Sequence, residues 1–476
     1  MVFRGFLQTT IFKIAKVMTK KKIAYGEEED LMKQSDTCSE CRQPKEGRKW
    51  CPTCLFPNNW TSGNREIDAF IRESQMFATT LHHCLLWIPF DQFSEIKEVA
   101  RGGFNTVCSA TWDGDRIDLL YTIENSPVWV HRNCTTKVAL KNLKNSQNID
   151  SSILSKLLNH RTHDDFSVPK CYGISQHPST KEYILVFNYY EQGDLRALLA
   201  DRYTDMKLRD KLLVLSDIIS ELNSIHKRKL VHKNFHPGNI LIAKSSWIDG
   251  SLSIQGLAIS DLGLNAPLNE SPHSKEIYGV IPFVAPEIFQ SIPYTAAADI
   301  YSFGMIMWML SSGKQPFGDR PHDHRLIRDI CDGVRPQIVS GLPEWYCDLM
   351  KRCWDTDPFN RPSAQEIHEI IFDRRGDLWA YYSEHLGALK PTNNEITRRS
   401  RNSHYEILTN THPDAVYYSR PLSKFISPPQ PNIYSPLKAN VNNKNNKNNK
   451  NNKNSIHERS STEINMDLSI TMSGKN

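Results

Sequence analysis

Two sets of residues in this sequence have types and spacings that can do chemistry. The tighter set is Cys38-x2-Cys41 followed, after nine residues, by Cys51-x2-Cys54. Four thiolates in two knuckles offer soft ligands in tetrahedral geometry, which suits zinc. Pro44 and Gly47 supply turn chemistry between the knuckles, so a small four-cysteine zinc hairpin (a zinc ribbon) over 37–58 is the expectation. A redox dithiol and unliganded thiols are the other readings of these cysteines. Lys45, Arg48 and Lys49 read as a solvated face.

The second set is dispersed. Gly102 and Gly103 allow a backbone to approach a ligand closely. Lys141 carries a compact charge on a flexible stem. Asp261 offers carboxylate oxygen, the donor that hard cations prefer. Between the lysine and the aspartate, His232-Lys233-Asn234-Phe235-His236-Pro237-Gly238-Asn239-Ile240-Leu241 gathers imidazoles and carboxamides in one Pro/Gly-punctuated stretch. Each signal is weak alone: a lysine on a strand is ordinarily a solvated surface residue, and Asp-Leu-Gly arises by chance in many proteins.

The elements that must position these residues change character along the chain. Phe93–Val99 and Thr106–Thr111 alternate apolar and polar residues, as strands do. Thr136–Lys141 and Glu182–Phe187 are two further strand candidates. From Leu208 onward, Leu212, Leu213, Leu215, Ile218, Ile219, Leu222 and Ile225 form a broad helical stripe. Ile300–Leu310 and Pro343–Trp354 also read as helices. Strands first and helices second give an α+β fold with a small β-rich lobe before a larger α-rich lobe. The connection from Trp112 to Thr136 reads either as a partner-docking insert or as an extended hairpin.

The ordered motifs resemble those of the protein kinase superfamily. His232-Lys233-Asn234 through Asn239 is similar to its catalytic loop, His-Arg-Asp, four residues, Asn. Val138-Ala139-Leu140-Lys141 resembles the lysine-bearing third strand, Asp261-Leu262-Gly263 resembles Asp-Phe-Gly, and Ala285-Pro286-Glu287 is the Ala-Pro-Glu motif. Asp299-Ile300-Tyr301-Ser302-Phe303-Gly304 and Arg361-Pro362 match later landmarks. Cys353-Trp354 and Asp357–Pro362 are similar to the tyrosine-kinase-like group. The cysteine-rich start followed by Leu86-Trp87-Ile88-Pro89-Phe90 resembles a fungal-type branch of it.

The resemblance implies a bilobal kinase fold over 90–374 that binds ATP with Mg2+. Val99, Ala100, Arg101, Gly102, Gly103, Phe104, Asn105, Thr106 and Val107 would form the phosphate loop and its flanks. Val107, Ala139 and Leu241 would sandwich adenine, with Phe187 behind them. Lys141 would reach the α- and β-phosphates, Asn239 and Asp261 would hold magnesium, and Glu287 and Arg361 would pair to lock the large lobe.

Departures from the family pattern bear on activity. Asn234 stands where the catalytic aspartate belongs, and a carboxamide orients a hydroxyl but is a very poor proton acceptor. Asp150–His160 is the candidate for the helix whose glutamate pairs with the third-strand lysine, and alignment places Lys156 there. No glutamate occurs between Glu124 and Glu182. Ala100 and Asn105 replace loop glycines. Lys233 replaces an arginine that would gather a phosphate from Ser271, Ser274 or Tyr278 with a bidentate fork. The implied function is a nucleotide-binding pseudokinase or signalling scaffold with little phosphotransfer. The alternative is a slow but active kinase moving the ATP γ-phosphate to Ser, Thr or Tyr hydroxyls. Protein substrates or partners, other kinases among them, are implied.

Composition sets the remaining bounds. The 476 residues suffice for two or three domains. Hydrophobic content of 39% is low for a wholly packed chain. A net charge of +5 is small for this length and argues against a nucleic-acid-binding domain. Eleven cysteines and no evident secretory signal point to reduced thiols in cytoplasm or nucleus. No apolar run is long enough for a membrane span. Residues 1–36 form a basic leader, readable as disordered, as a surface helix or as a mitochondrial presequence. Residues 59–89 read as a linker or helix, and 375–476 as a mostly disordered tail with Asn-Asn-Lys repeats.

Overall fold

Alternation of apolar residues builds the first half of the molecule, and helical stripes build the second. The computed structural model describes residues 38, 41–43, 51–56, 60–77, 84–101, 105–121, 127–147, 168–248, 251–262, 277–385 and 411–426. The leader, Gly102–Phe104, Asp150–His160 with Lys156, Gly263, Ser271, Ser274 and the Asn-Asn-Lys repeats lie outside the described residues.

Helix α1 (Arg65–Phe77) precedes six strands: β1 (Leu86–Trp87), β2 (Phe93–Arg101), β3 (Asn105–Tyr121), β4 (Pro127–Leu143), β5 (Cys171–Gln176) and β6 (Tyr183–Asn188). They form one sheet in the order β1-β5-β6-β4-β3-β2. Only β1 and β5 run parallel within it; the other pairs are antiparallel. The β3–β4 ladder continues without a break from Asn105↔Leu143 to Tyr121↔Pro127. The stretch between Trp112 and Thr136 is therefore largely an extended hairpin.

Period-two alternation gives the sheet two apolar faces. Ala110, Trp112, Val138, Leu140, Ile184 and Val186 pack on one face with Ile88 and Phe93. On the other, Leu143, Ile174, Tyr183 and Leu185 pack against Ile67, Phe70 and Ile71 of α1. Helix α1 begins where Asn64 Oδ1 accepts the Glu66 N–H at 2.9 Å, an N-cap that satisfies an otherwise orphaned donor.

The large lobe contains α2 (Leu195–Arg202), α3 (Leu208–Lys227), β7 (Ile240–Ile248), β8 (Ser251–Ile259), β9 (Tyr278–Gly279), α4 (Ala296–Ser312), α5 (His324–Cys331), α6 (Glu344–Cys353) and α7 (Ala364–His385). Leu212, Leu215, Ile218, Ile219, Leu222 and Ile225 of α3 are buried, and full burial of such a side chain contributes roughly 1.5–3 kcal/mol. Helix α4 is buried nearly all round, as its apolar sequence demands, and ends at Gly313 in the left-handed region at φ +71°. No helix among the described residues is long and apolar enough to cross a membrane.

The polar tail is not uniform. Residues 411–426 lie on the large lobe, where β10 (Arg420–Pro421) pairs antiparallel with β9 and Leu422 is fully buried. Composition assigns this stretch to disorder because its few apolar side chains are spaced too irregularly to show a period.

Candidate functional site

The loop from His232 to Leu241 is held from below by one buried carboxylate. Asp299, in the first turn of α4, accepts the backbone N–H groups of His232 at 2.8 Å and Lys233 at 3.0 Å, and lies 2.9 Å from His226 Nε2. These bonds hold Lys233 in the left-handed region at φ +69°, a conformation that costs an L-residue about 1–3 kcal/mol. Lys233 itself is exposed.

The two imidazoles of the loop are structural. His232 Nε2 lies 2.8 Å from Ser260 O, and its Nδ1 accepts from Asn234 N at 3.3 Å. Burial pushes the His232 pKa down, which keeps the ring neutral and this tautomer in place. His236 Nδ1 caps the turn Pro237–Asn239 by accepting from Gly238 N at 3.1 Å. Burial pushes this ring down to about 3, with Arg196 adding to the shift. The capped turn orients Asn239, whose Nδ2 donates to Asn234 O at 2.9 Å and whose carbonyl accepts from Ser260 N at 2.8 Å.

Strand register brings the remaining groups together. Lys141 sits opposite Val107, and Ala139 opposite Phe187. Lys141 is 5% exposed, and its Nζ lies 2.5 Å from Asp261 Oδ1, across 120 residues of sequence. Asp261 adopts φ +66° immediately after the Ser260 contact with the loop. The result is a cleft of about 430 Å³ between the lobes.

Most of the residues singled out from sequence line this cleft. Val99, Ala100, Arg101, Asn105 and Val107 contribute from β2 and β3. Ala139, Lys141, Phe187 and Leu241 contribute its walls, and Asn234, Asn239 and Asp261 its polar end. Thr106 sits between Asn105 and Val107 on β3, and strand alternation turns it to the opposite face from these two cleft-lining neighbours. The Asn234 carboxamide makes no hydrogen bond to another described residue. Arg101 is tied to Glu98 by N–H···O contacts of 2.7 and 2.9 Å.

A family profile described as protein tyrosine and serine/threonine kinase matches residues 93–371, more than half of the chain. The chain belongs to the protein kinase family. Its curated relatives include the Homo sapiens mitogen-activated protein kinase kinase kinase 7, 26% identical over 285 residues, covering 58% of this chain and 41% of the relative. A protein kinase and PP2C-like domain-containing protein of Arabidopsis thaliana is 24% identical over 307 residues, covering 59% of this chain and 43% of the relative. The chain thus matches less than half the length of these kinases. The six-stranded sheet is the kinase small lobe, and the helical half is the large lobe.

Glu287 and Arg361 are joined by two N–H···O bonds of 2.7 Å in the buried base of the large lobe. Sequence reasoning missed Arg196. Its Nε lies 3.1 Å and its Nη2 2.5 Å from Asp194 Oδ2, while Nη1 reaches Tyr417 O at 2.9 Å. Asp194 in turn caps α2, its carboxylate accepting the Arg196 and Ala197 N–H groups. Nothing near Arg196 in sequence foretells a partner so far along the chain.

The four cysteines form a separate cluster. Their Sγ atoms lie within 4.8 Å of one another, with Cys38–Cys54 at 3.7 Å and Cys41–Cys51 at 3.4 Å. A tetrahedral zinc with ~2.3 Å bonds needs sulfur separations of about 3.8 Å, so the donor set fits the ion. The first knuckle closes through Arg42 N→Cys38 O at 3.0 Å, and the second opens a helical turn, Pro52–Leu55. Hydrogen bonding to Cys41 raises the Cys54 pKa above the ordinary thiol value.

Proposed function

We propose that this kinase-family chain binds ATP with magnesium and acts as a pseudokinase, a signalling scaffold with little phosphotransfer of its own. The observation that carries this reading is the contrast at the polar end of the cleft. Lys141, Asp261 and Asn239 are assembled there, while Asn234 presents a carboxamide where a proton acceptor is needed. Magnesium, held by Asn239 and Asp261, would neutralise charge on the phosphates. Lys141 would hold the phosphates, and Val107, Ala139 and Leu241 the base. General-base assistance is worth about 10²–10⁴ in rate, and its loss leaves positioning alone.

The assembled lysine–aspartate pair also supports a second reading, a slow Ser/Thr/Tyr kinase, since phosphoryl transfer relies largely on positioning and electrostatics. Thermal unfolding with and without Mg-ATP tests binding, because a ligand of the folded state raises stability by mass action. Radiolabelled phosphotransfer separates the two readings. A thermal shift without label transfer supports the scaffold. Brisk transfer that Lys141→Met abolishes favours the enzyme, and no shift at all removes both.

The motif Cys353-Trp354 with Asp357–Pro362 supports placement in the tyrosine-kinase-like group. The cysteine geometry supports one structural zinc. Proteins, other kinases among them, are the partners such a scaffold would engage.

A further inference from the structure

The tail segment 411–426 reaches into the same cleft as the phosphate-end residues. Tyr417, Tyr418 and Ser419 line it together with Lys141, Asn234 and Asp261. Past them the chain adds a strand to the large lobe: Arg420 pairs with Gly279, Pro421 with Tyr278, and Leu422 N donates to Ile277 O at 2.8 Å. Main-chain pairing to an exposed strand edge is a general way of holding an extended peptide.

The position of that strand is the decisive fact. A methyl built on Gly279 would meet Leu422 Cδ1 at 3.8 Å and Asn234 Oδ1 at 3.9 Å. The tail's buried anchor and the degenerate base position therefore flank one glycine. A protein hydroxyl approaching Asn234 from outside would have to share this edge. The segment is also clamped upstream. Arg196 Nη1 donates to Tyr417 O at 2.9 Å, Tyr417 OH donates to Pro316 O at 2.9 Å, and Val416 N donates to His322 Nδ1 at 3.1 Å. Ser419 Oγ, by contrast, is buried with no hydrogen-bond partner among the described residues. A buried hydroxyl left unsatisfied is costly, and here it belongs to a side chain lining the cleft.

We propose that the groove beside Asn234 is a docking site for an extended protein segment, and that residues 411–426 occupy it as an internal stand-in. Leu422 is the anchor, the β9 edge supplies main-chain pairing, and Ser419 takes the place of a presented hydroxyl. The partner that fits is an extended peptide with a hydroxyl residue and, three positions later, an aliphatic one. Such a partner gains access only by displacing the tail. This rests on the kinase-like reading of the cleft for what the groove serves, but the occupancy itself does not depend on nucleotide.

The test uses the full chain and a fluorescein-labelled peptide of residues 411–426, followed by anisotropy without nucleotide. In the wild type the segment is covalently tethered and competes as an intramolecular ligand, so the added peptide binds weakly. Leu422→Asp in the chain releases the tail, and the peptide then binds at least tenfold tighter. A peptide carrying the same Leu→Asp change loses that binding. If Leu422→Asp prevents folding, a protease site placed within 390–405 of the otherwise wild-type chain is cut after folding, and the labelled peptide exchanges into the groove. Equal affinity of wild type and variant, or no binding and no exchange, overturns the proposal. A chain that exchanges the peptide but shows no Mg-ATP shift would refute the nucleotide reading and leave this one standing.

Discussion

Arg361 and Glu287, 74 residues apart, meet through two parallel N–H···O bonds of 2.7 Å, with side-chain exposures of 0% and 5%. Arg361 Nη1 also donates to Ala297 O at 2.9 Å, and its Nε to Asp355 O at 2.9 Å. One guanidinium therefore ties the Ala-Pro-Glu turn, the start of α4 and the loop after α6. Removing one partner strands a buried charge, which typically costs about 3–5 kcal/mol. Arg361→Ala is expected to lower stability by that order in equilibrium denaturation. The double variant Arg361→Met with Glu287→Leu should cost less than Arg361→Ala alone, since it leaves no charge unpaired. Equal losses in the two variants would show that packing, rather than the stranded charge, sets the cost.

Asn234→Asp restores a proton acceptor at the mouth of the groove without changing side-chain volume. If the missing base is the lesion, phosphotransfer by the variant rises by ~10²–10⁴ over wild type in a radiolabel assay. Combining it with Lys156→Glu tests the second departure. No gain from either places the defect outside the proton-transfer and lysine-pairing positions.

The same residues show how much could be read ahead of the structure. Lys141, Asn234, Asn239 and Asp261 were legible because the loop and strand chemistry around them is local and fixed in order. What converges from far along the chain was not. Asp299 reads only as a landmark in sequence, yet it fixes the backbone of His232 and Lys233. Proximity in sequence puts Thr106 in the cleft, and alternation turns it away. Tyr417 to Leu422 carry a faint signal, three aromatic or aliphatic residues in a polar run, but nothing local names the strand edge at Tyr278–Gly279 that they cover.

The cysteine cluster makes a prediction separate from the kinase lobes. Purified full-length chain should contain one zinc per molecule by elemental analysis. Cys41→Ser, which removes one of two sulfurs lying 3.4 Å apart, should lower that content severalfold. A strong chelator should release the ion with uptake of protons, because bound thiolates reprotonate. Zinc-free protein with four freely titrating thiols would leave the cluster without a metal role.

Acid should loosen the His232–Leu241 loop through His236. This ring is buried, and its pKa is pushed down to about 3 in the folded chain, against about 6.5 when unfolded. Because the folded value is the depressed one, the contribution to stability is fully present above pH ~6.5 and is lost as pH falls from there toward about 3. The slope is about half of ~1.4 kcal/mol per pH unit at pH 6.5 and approaches that figure below it, so about 2 kcal/mol disappears between pH 6.5 and 4.5. Burial also depresses His232 and His322, which adds to the acid sensitivity in the same direction. The specific check is His236→Asn, whose amide oxygen can still accept from Gly238 N but carries no titrating ring. Denaturation at a series of pH values should show the variant losing ~1.4 kcal/mol less per unit than wild type between pH 6 and 4. Identical pH profiles would mean that His236 takes up its proton as easily in the folded chain as in the unfolded one, and the neutral cap assigned to the Pro237–Asn239 turn would have to be given up.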